Sequence, residues 1–206
     1  MADLSGRVAL VAGATRGAGR AIAVELARSG AFVYATGRSS RVGGPSDMAR
    51  PGVLVNNIFG GDRYARWQTP LWEHDLDGGL RMLRMGVETH IVTAALALPL
   101  LLGTGDGLLV EMTDGTSEAT EENWRDACRR QPGFGISESP TYVARGVCAM
   151  AADEDRHRFA GRVVTARQLA DAYGVTDLDG SRPDCWGLIA DRGWSEQDPE
   201  VIGRYR

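Results

Sequence analysis

Three glycines with the spacing Gly-x-x-x-Gly-x-Gly, at positions 13, 17 and 19, follow an apolar run at residues 8–11 and open an amphipathic stretch at residues 17–29. This order is typical of a strand, a tight turn and a helix. The N-terminus of such a helix directs backbone N–H groups at a phosphate, and glycine is needed wherever a Cβ would block the approach. We therefore predict a dinucleotide-binding loop with the candidate residues Gly13, Thr15, Arg16, Gly17, Ala18 and Gly19. The alternative is a tight turn with close helix–strand packing and no ligand.

The residues after the second predicted strand indicate which dinucleotide the loop prefers. A carboxylate about 20 residues beyond the glycines accepts a hydrogen bond from the ribose of NAD and repels a 2′-phosphate. No acidic residue stands there, because the sequence reads Gly37-Arg38-Ser39. Arg38 is placed to bind a 2′-phosphate with Ser39 as a neutral donor, and Arg16 offers a second guanidinium. We predict NADP rather than NAD, with a solvated loop side chain as the alternative for Arg38.

Composition limits the classes of partner. The chain has 206 residues, of which 43% are hydrophobic, enough for one core and a single domain over residues 1–206. A net charge of −4 argues against nucleic acid as a partner, because a phosphate backbone requires clustered positive charge. The longest apolar run, residues 91–102, has 12 residues, whereas a membrane span needs roughly 20. The N-terminus lacks a signal sequence, so we expect a cytoplasmic protein with no membrane partner.

The spacing of cysteine and histidine predicts neither a disulfide framework nor a metal centre. The cysteines are odd in number and widely separated, at 128, 148 and 185, which is typical of free thiols in a reducing compartment. The histidines, at 74, 90 and 157, form no i, i+4 pair of the kind that binds a metal on a helix.

The apolar pattern predicts an α/β domain built on a doubly wound parallel sheet. Strands are predicted at residues 8–11, 31–35, 53–55, 108–112 and 162–165. Helices are predicted at residues 17–29, within residues 71–102 with an end near Pro99, and from Ser139-Pro140 to about residue 152. Thr120, followed by two glutamates, predicts another helix start. Residues 174–206 are predicted to form an irregular C-terminal tail.

The glycine loop, the pair Asn56-Asn57 after the strand at 53–55 and the order of the elements resemble the short-chain dehydrogenase/reductase family. The resemblance implies a Rossmann fold and hydride transfer between a nicotinamide cofactor and a small carbonyl or alcohol substrate. It also implies that Asn56 and the backbone from Ile58 to Gly60 lie along the adenosine ribose and the nicotinamide ribose side of the cofactor. Paired asparagines at a strand end are otherwise typical of a turn or a helix cap. Family members commonly pair through the helix that corresponds to residues 91–102, so we expect a homodimer or homotetramer.

The reaction centre of that family is missing from the sequence. Members reduce carbonyls with a Tyr-x-x-x-Lys pair on one helix, and this chain contains no lysine. Asp114 stands at the position of the family's serine and is the candidate catalytic residue. A buried carboxyl acts as a base, whereas an ionised one repels a developing alkoxide. The other role open to Asp114 is a turn residue before Gly115, and the nearby hydroxyl alternatives are Thr113, Thr116 and Ser117.

Two other functions stay open at this point. A noncatalytic dinucleotide-binding protein keeps the glycine loop and lacks the chemistry. A flavodoxin-like FMN binder fits less well, because its phosphate loop usually lacks this glycine spacing. Tyr142 is no substitute for the family's tyrosine, since it lies in the helix after Ser139-Pro140 and no lysine follows it.

Compared with the family pattern, two internal segments are missing. Residues 37–52 contain four glycines, two prolines and no apolar period, and so offer no helix for the crossover between parallel strands. After Ser117 the Tyr-x-x-x-Lys helix, a strand and a substrate loop are missing. We interpret both as segments of the intact polypeptide that the 206-residue sequence omits, with a true double deletion as the alternative. An intact mass near 22.1 kDa identifies the deletion.

Overall fold

The computed structural model describes residues 2–37, 50–66, 69–113, 136–193, 196 and 198–206. Four strands form one parallel sheet in the order β2-β1-β3-β4, with β1 at Val8–Ala12, β2 at Phe32–Thr36, β3 at Val53–Asn56 and β4 at Leu108–Glu111. The pairing brings Ala12 opposite both Thr36 and Asn56, and Asn56 opposite Glu111. The carboxyl ends of all four strands therefore meet at one edge of the sheet.

The described α-helices are α1 at Gly17–Arg28, α2 at Leu76–Leu83, α3 at Thr89–Leu102, α4 at Pro140–Ala152, α5 at Ala166–Tyr173, α6 at Cys185–Arg192 and α7 at Pro199–Gly203. Short 3-10 helices lie at Asp62–Tyr64, Leu71–Glu73 and Arg156–Phe159.

Side chains alternate along the strands, so the sheet has two apolar faces. The larger buried cluster joins one face to α1 and α4 and includes Val11, Val55, Ile22, Leu26 and Val147. The smaller cluster joins the other face to α3 and consists of Leu54, Ala97 and Leu101, with Leu10 and Leu109 packed against it. The sheet thus forms the middle of three layers, as in doubly wound folds.

A single long helical segment covers the second face. α2, a π-helical turn at Arg84–Glu88 and α3 follow one another directly from residue 76 to residue 102. α3 ends one turn's length beyond the expected stop at Pro99, because proline removes only its own N–H bond and its carbonyl still accepts from the Gly103 N–H at 3.2 Å. The expectation based on a run of 12 apolar residues therefore underestimated the length of this helix.

Length and composition alone make this segment a candidate membrane span among the described residues. It has 27 residues and a mean hydropathy of 1.6 in its most apolar window, of which 11% is buried. The core helix of a soluble protein passes the same test but is mostly buried, whereas most of this window is exposed. Ala97 and Leu101 of the segment pack against Leu54 of the sheet.

A buried carboxylate joins the segment after α5 to the start of α4. Asp177 is 1% exposed and accepts hydrogen bonds from the N–H groups of Ser139, at 2.9 Å, and Leu178, at 2.6 Å. The Ser139 hydroxyl also donates to Asp177. Ser139 is the N-cap residue of α4, as predicted, but its side chain makes no capping hydrogen bond to the helix, because its hydroxyl binds this carboxylate.

Most predicted elements are present in the structure. β1, β2, β3, β4, α1 and α4 lie within one or two residues of their predicted bounds. The predicted helix start at Thr120 lies outside the described residues.

Two predictions about the second half of the chain are wrong. Residues 162–165 form no strand, because they pair with neither edge of the described sheet, and Val163 is 85% exposed. The region 174–206 is not irregular throughout, since it contains α6 and α7. Asp184 and Asp198 accept hydrogen bonds from the first turns of these helices, and Pro199 starts α7, so aspartates that resemble turn residues are N-caps here.

The prediction that residues 37–52 offer no crossover helix falls mostly on residues 38–49, which lie outside the described part of the chain. β2 and β3, the strands on either side of this segment in the sequence, lie on opposite sides of β1 and are both parallel to it.

We expect Asp177→Ala to lower the free energy of unfolding by about 2 to 4 kcal/mol, because it leaves the buried N–H and hydroxyl donors of Ser139 without their acceptor. Asp171→Ala is the matched control, since this carboxylate on α5 is 50% exposed and its ion pair with Arg167 belongs to a class that contributes about 0 to 1 kcal/mol. Urea unfolding of both variants measures the difference, and equal losses would contradict the role assigned to Asp177.

Candidate cofactor site

The order of the strands places a crevice at the carboxyl end of β1. The chain leaves β1 toward β2 on one side and later returns to pair β3 on the other. In open parallel sheets, ligands bind where the strand order reverses in this way, outside the carboxyl ends of the strands. The predicted glycine loop follows β1 directly and therefore lies at this crevice.

The glycine loop is packed so tightly that side chains do not fit. Gly13 has a φ of +83°, and a Cβ there would lie 2.2 Å from the backbone oxygen of Asn57. Gly17 has a φ of +53°. A Cβ on Gly19 would lie 2.3 Å from the Gly13 carbonyl oxygen. Glycine is thus required at 13 and 19 by close backbone approach and is favoured at 13 and 17 by conformation.

The loop presents the N-terminus of α1 at the crevice. Arg16 is the N-cap residue, it makes no side-chain capping hydrogen bond, and the first turn contains no acidic residue. Thr15 and Arg16 are exposed, Ala18 is half-buried, and Gly17 and Gly19 are buried. A helix start without a capping side chain or a carboxylate is electrostatically suited to an anion.

The end of β2 is held against the loop. The Thr36 carbonyl accepts from the N–H groups of Gly13, at 3.0 Å, and Ala14, at 2.8 Å. A Cβ on Gly37 would lie 2.3 Å from Thr15 Cγ2, so Gly37 contacts the loop directly. Arg38 and Ser39, predicted to bind the 2′-phosphate, lie outside the described residues.

The end of β3 closes the loop from the other side. The Asn57 N–H donates to the Ala12 carbonyl at 2.9 Å, and its side-chain amide donates to the Gly13 carbonyl at 3.4 Å. Asn56 is fully buried, and its amide nitrogen donates to the His90 carbonyl at 3.1 Å and to Glu111 Oε1 at 3.2 Å. Both of its amide hydrogens are used inside the protein, whereas its side-chain oxygen has no partner among the described residues. That Asn56 lies along the cofactor stays a prediction.

A histidine and a glutamate that sequence reasoning missed complete this end of the sheet. His90 Nδ1 lies 2.6 Å from Glu111 Oε2, and His90 Nε2 lies 2.8 Å from the Ile58 carbonyl oxygen. The sequence signal that could have found these residues is their position on the strand and helix faces. Leu54 and Leu109 are followed two residues later by Asn56 and Glu111 on the same face, and His90 continues the helix face of Ala97 and Leu101.

The structure brings none of the candidate reaction residues that it describes into a defined catalytic position. Asp114 lies outside the described residues, whereas Thr113 at the end of β4 is exposed. Tyr142 is fully buried in α4, its hydroxyl has no hydrogen-bond partner among the described residues, and burial raises its pKa. A phenol enclosed in this way does not reach a substrate. The described residues contain no cluster of three or more potential metal ligands.

No family model matches the chain. It is similar to the curated protein named dehydrogenase/reductase SDR family member 1, with 22% identity to the mouse protein over 87% of this chain and 86% of the relative. Identity to the human protein of the same name is 24%, over 87% of this chain and 85% of the relative. The chain is thus similar in sequence to members of the short-chain dehydrogenase/reductase family.

Solved structures agree on the fold. A putative dehydrogenase from Xanthomonas campestris matches with a TM-score of 0.64 at 18% identity, covering 90% of this chain and 96% of that one. A putative short-chain dehydrogenase from Escherichia coli CFT073 matches 74% of this chain and 92% of its own, with a TM-score of 0.54 at 18% identity. A putative short-chain dehydrogenase from Shigella flexneri 2a, complexed with NADP, matches 76% and 95%, with a TM-score of 0.52 at 16% identity. The fold is the Rossmann fold.

The comparison with the mouse relative also bears on the missing segments. That alignment runs over 275 positions, more than the 206 residues of this chain. The chain therefore lacks residues that the relative carries.

We expect Gly13→Ala to destabilise the protein by about 1 to 3 kcal/mol from its positive φ alone, with the collision against Asn57 adding to the loss. Gly79→Ala in α2 is the matched control, because a Cβ there meets nothing within 4 Å, and this change should stabilise by about 0.4 to 1 kcal/mol. Thermal unfolding of both variants measures the contrast. A Gly13→Ala protein as stable as the parent would show that the loop is not packed as described.

Proposed function

We propose that this protein binds NADP(H) at the carboxyl end of β1 and transfers a hydride between the nicotinamide and a small carbonyl or alcohol substrate. The observation that carries the proposal is the glycine loop, whose closeness to Asn57 leaves no room for side chains at 13 and 19. Backbone that cannot carry a Cβ and that ends at an uncapped helix start is what a pyrophosphate requires.

The described residues fit such a cofactor. The N–H groups at the start of α1 would hold the pyrophosphate, and the residues after β2 would hold the adenosine ribose. The other half of the dinucleotide would then extend across β1 toward the ends of β3 and β4. The cofactor itself supplies the hydride chemistry when it is bound. The protein's part is to bind and orient it.

NADP is the proposed cofactor and NAD the less favoured one. The residues at the end of β2 include no carboxylate, and Arg38 and Ser39 follow Gly37 directly. A guanidinium and a hydroxyl suit a 2′-phosphate. The Shigella flexneri neighbour was solved with NADP, which supports the proposal at the level of the fold.

A noncatalytic dinucleotide-binding protein is the second candidate, and one observation favours it. The chain contains no lysine, so it lacks the pair with which the family protonates its substrate, and Asp114 is the remaining candidate for that role. Hydride transfer from NADPH to a panel of aldehydes and ketones separates the two candidates. Binding of NADPH without any transfer would identify the noncatalytic protein.

The assembly we propose is a homodimer or homotetramer that pairs through an apolar stripe on α2 and α3. The stripe consists of exposed residues spaced mostly three or four apart: Leu76, Leu80, Leu83, Val87, Ile91, Leu98 and Leu102. This is the spacing of helices that pair with one another. A membrane is a poorer fit, because Asp77, Arg81, Arg84 and Glu88 lie in the same helical segment and charges are costly in hydrocarbon.

We further propose a cytoplasmic location and no nucleic-acid partner. Cys148 is a buried thiol that forms no disulfide, which suits a reducing compartment. The net charge of −4 disfavours a phosphate backbone as a ligand.

We expect NADPH to bind at least tenfold more tightly than NADH, because charge-assisted bonds to the 2′-phosphate contribute about 1.5 to 3 kcal/mol each. Arg38→Ala should remove most of this preference. Arg28→Ala is the matched control, since Arg28 lies at the far end of α1, paired with Glu25, and should leave the ratio unchanged. Calorimetry with NADPH and NADH measures the ratio of the two affinities. Equal affinities in the parent protein would refute the choice of NADP.

We expect light scattering to report a dimer or tetramer at micromolar concentration, and Ile91→Glu to shift it toward the monomer. Ile91 is a stripe residue, 63% exposed on α3, where a carboxylate would be desolvated by pairing. Val163→Glu, at a position 85% exposed and away from this helix, should leave assembly unchanged. A monomeric parent protein would contradict the proposal. Sedimentation of the protein together with phosphatidylcholine vesicles would also contradict it, because it would show that the stripe binds a membrane.

A further inference from the structure

We propose that His90 is a positioning residue that holds the backbone carbonyl of Ile58 and thereby shapes the cofactor site over β3 and β4. This inference rests on the proposed function, because it concerns the half of the dinucleotide that faces these strands. His90 is not itself placed to touch a substrate, since both of its ring nitrogens have partners inside the protein.

The hydrogen bonds define where the protons lie. A carbonyl oxygen only accepts, so His90 Nε2 must donate to the Ile58 oxygen at 2.8 Å. One further proton lies between Nδ1 and Glu111 Oε2, which are 2.6 Å apart. Glu111 Oε1 accepts from Asn56 at 3.2 Å. The ring is therefore fixed in orientation from both sides, and the carboxylate fixes which nitrogen faces Ile58.

The loop after β3 depends on this histidine. Asn57 is bound to Ala12 and Gly13, and the Gly61 carbonyl accepts from the Tyr64 N–H. Among the hydrogen bonds of the described residues, the bond from His90 is the one that reaches the backbone between these two points. The side chain is 17% exposed, so the bond is largely protected from competing water.

The position of this loop relative to the cofactor follows from the strand order. The glycine loop after β1 would take the pyrophosphate, and the end of β2 would take the adenosine ribose. β3 lies on the other side of β1 from β2. The loop held by His90 therefore borders the nicotinamide half and not the adenosine half.

Two substitutions separate the bond to Ile58 from the bond to Glu111. Asparagine places an amide nitrogen near the position of Nδ1, whereas glutamine reaches the position of Nε2. We expect His90→Asn to weaken NADPH binding by up to roughly tenfold, the order expected for losing one hydrogen bond. His90→Gln should restore most of the affinity. Neither change should alter the affinity for adenosine 2′,5′-bisphosphate, which contains only the adenosine half.

His157→Asn is the control, because His157 is 80% exposed and lies away from the candidate site. Its neighbour Arg156 binds Asp106 in the turn before β4, at the opposite end of this strand from Glu111. Equal losses for both probes in His90→Asn would show a general structural role and overturn the inference. The same holds if glutamine fails to rescue or if His90→Asn binds NADPH normally. If the parent protein binds neither probe, the proposed function itself fails, and the inference with it.

Discussion

The close approach of the backbone after β1 to the backbone after β3 is the contact on which the site depends. A Cβ at Gly13 would lie 2.2 Å from the Asn57 oxygen, and one at Gly19 would lie 2.3 Å from the Gly13 oxygen. These contacts set the angle at which the chain leaves the sheet and enters α1. They also direct the helix start at the crevice between the strands. A larger residue at either position would separate the two strand ends, and the anion site would be lost with them.

The second constraint is the row of polar side chains at the carboxyl end of the α3 face. On this face, Leu54 and Leu109 are followed by Asn56 and Glu111 at the end of the sheet. His90 of α3 hydrogen-bonds to both of them. Buried polar groups are stable only when they are hydrogen-bonded, so this row fixes α3 to the sheet at one place. The same bonds hold Ile58 at the edge of the crevice, which connects core packing to the shape of the site.

The chain is similar to short-chain oxidoreductases in sequence and in its glycine loop, yet it has no lysine. Cofactor binding and proton transfer are therefore separable questions in this protein. Binding depends on backbone geometry around Gly13 and on the end of β2, both of which are present. Proton transfer depends on a titratable group near the nicotinamide, and the carboxyl group of Asp114 is the candidate that the chain offers.

The sequence by itself determined the strands, α1, the start of α4 at Ser139-Pro140 and the glycine loop, because apolar alternation, helix caps and glycine spacing act over a few residues. Local sequence signals failed where contacts with another element determine the secondary structure. Residues 162–165 have the composition of a strand but pair with no edge of the described sheet. Asp184 and Asp198 cap helices that the apolar pattern did not predict. Only the tertiary structure brought His90, Glu111 and Asn56 together, since they come from three elements whose packing sets their distances.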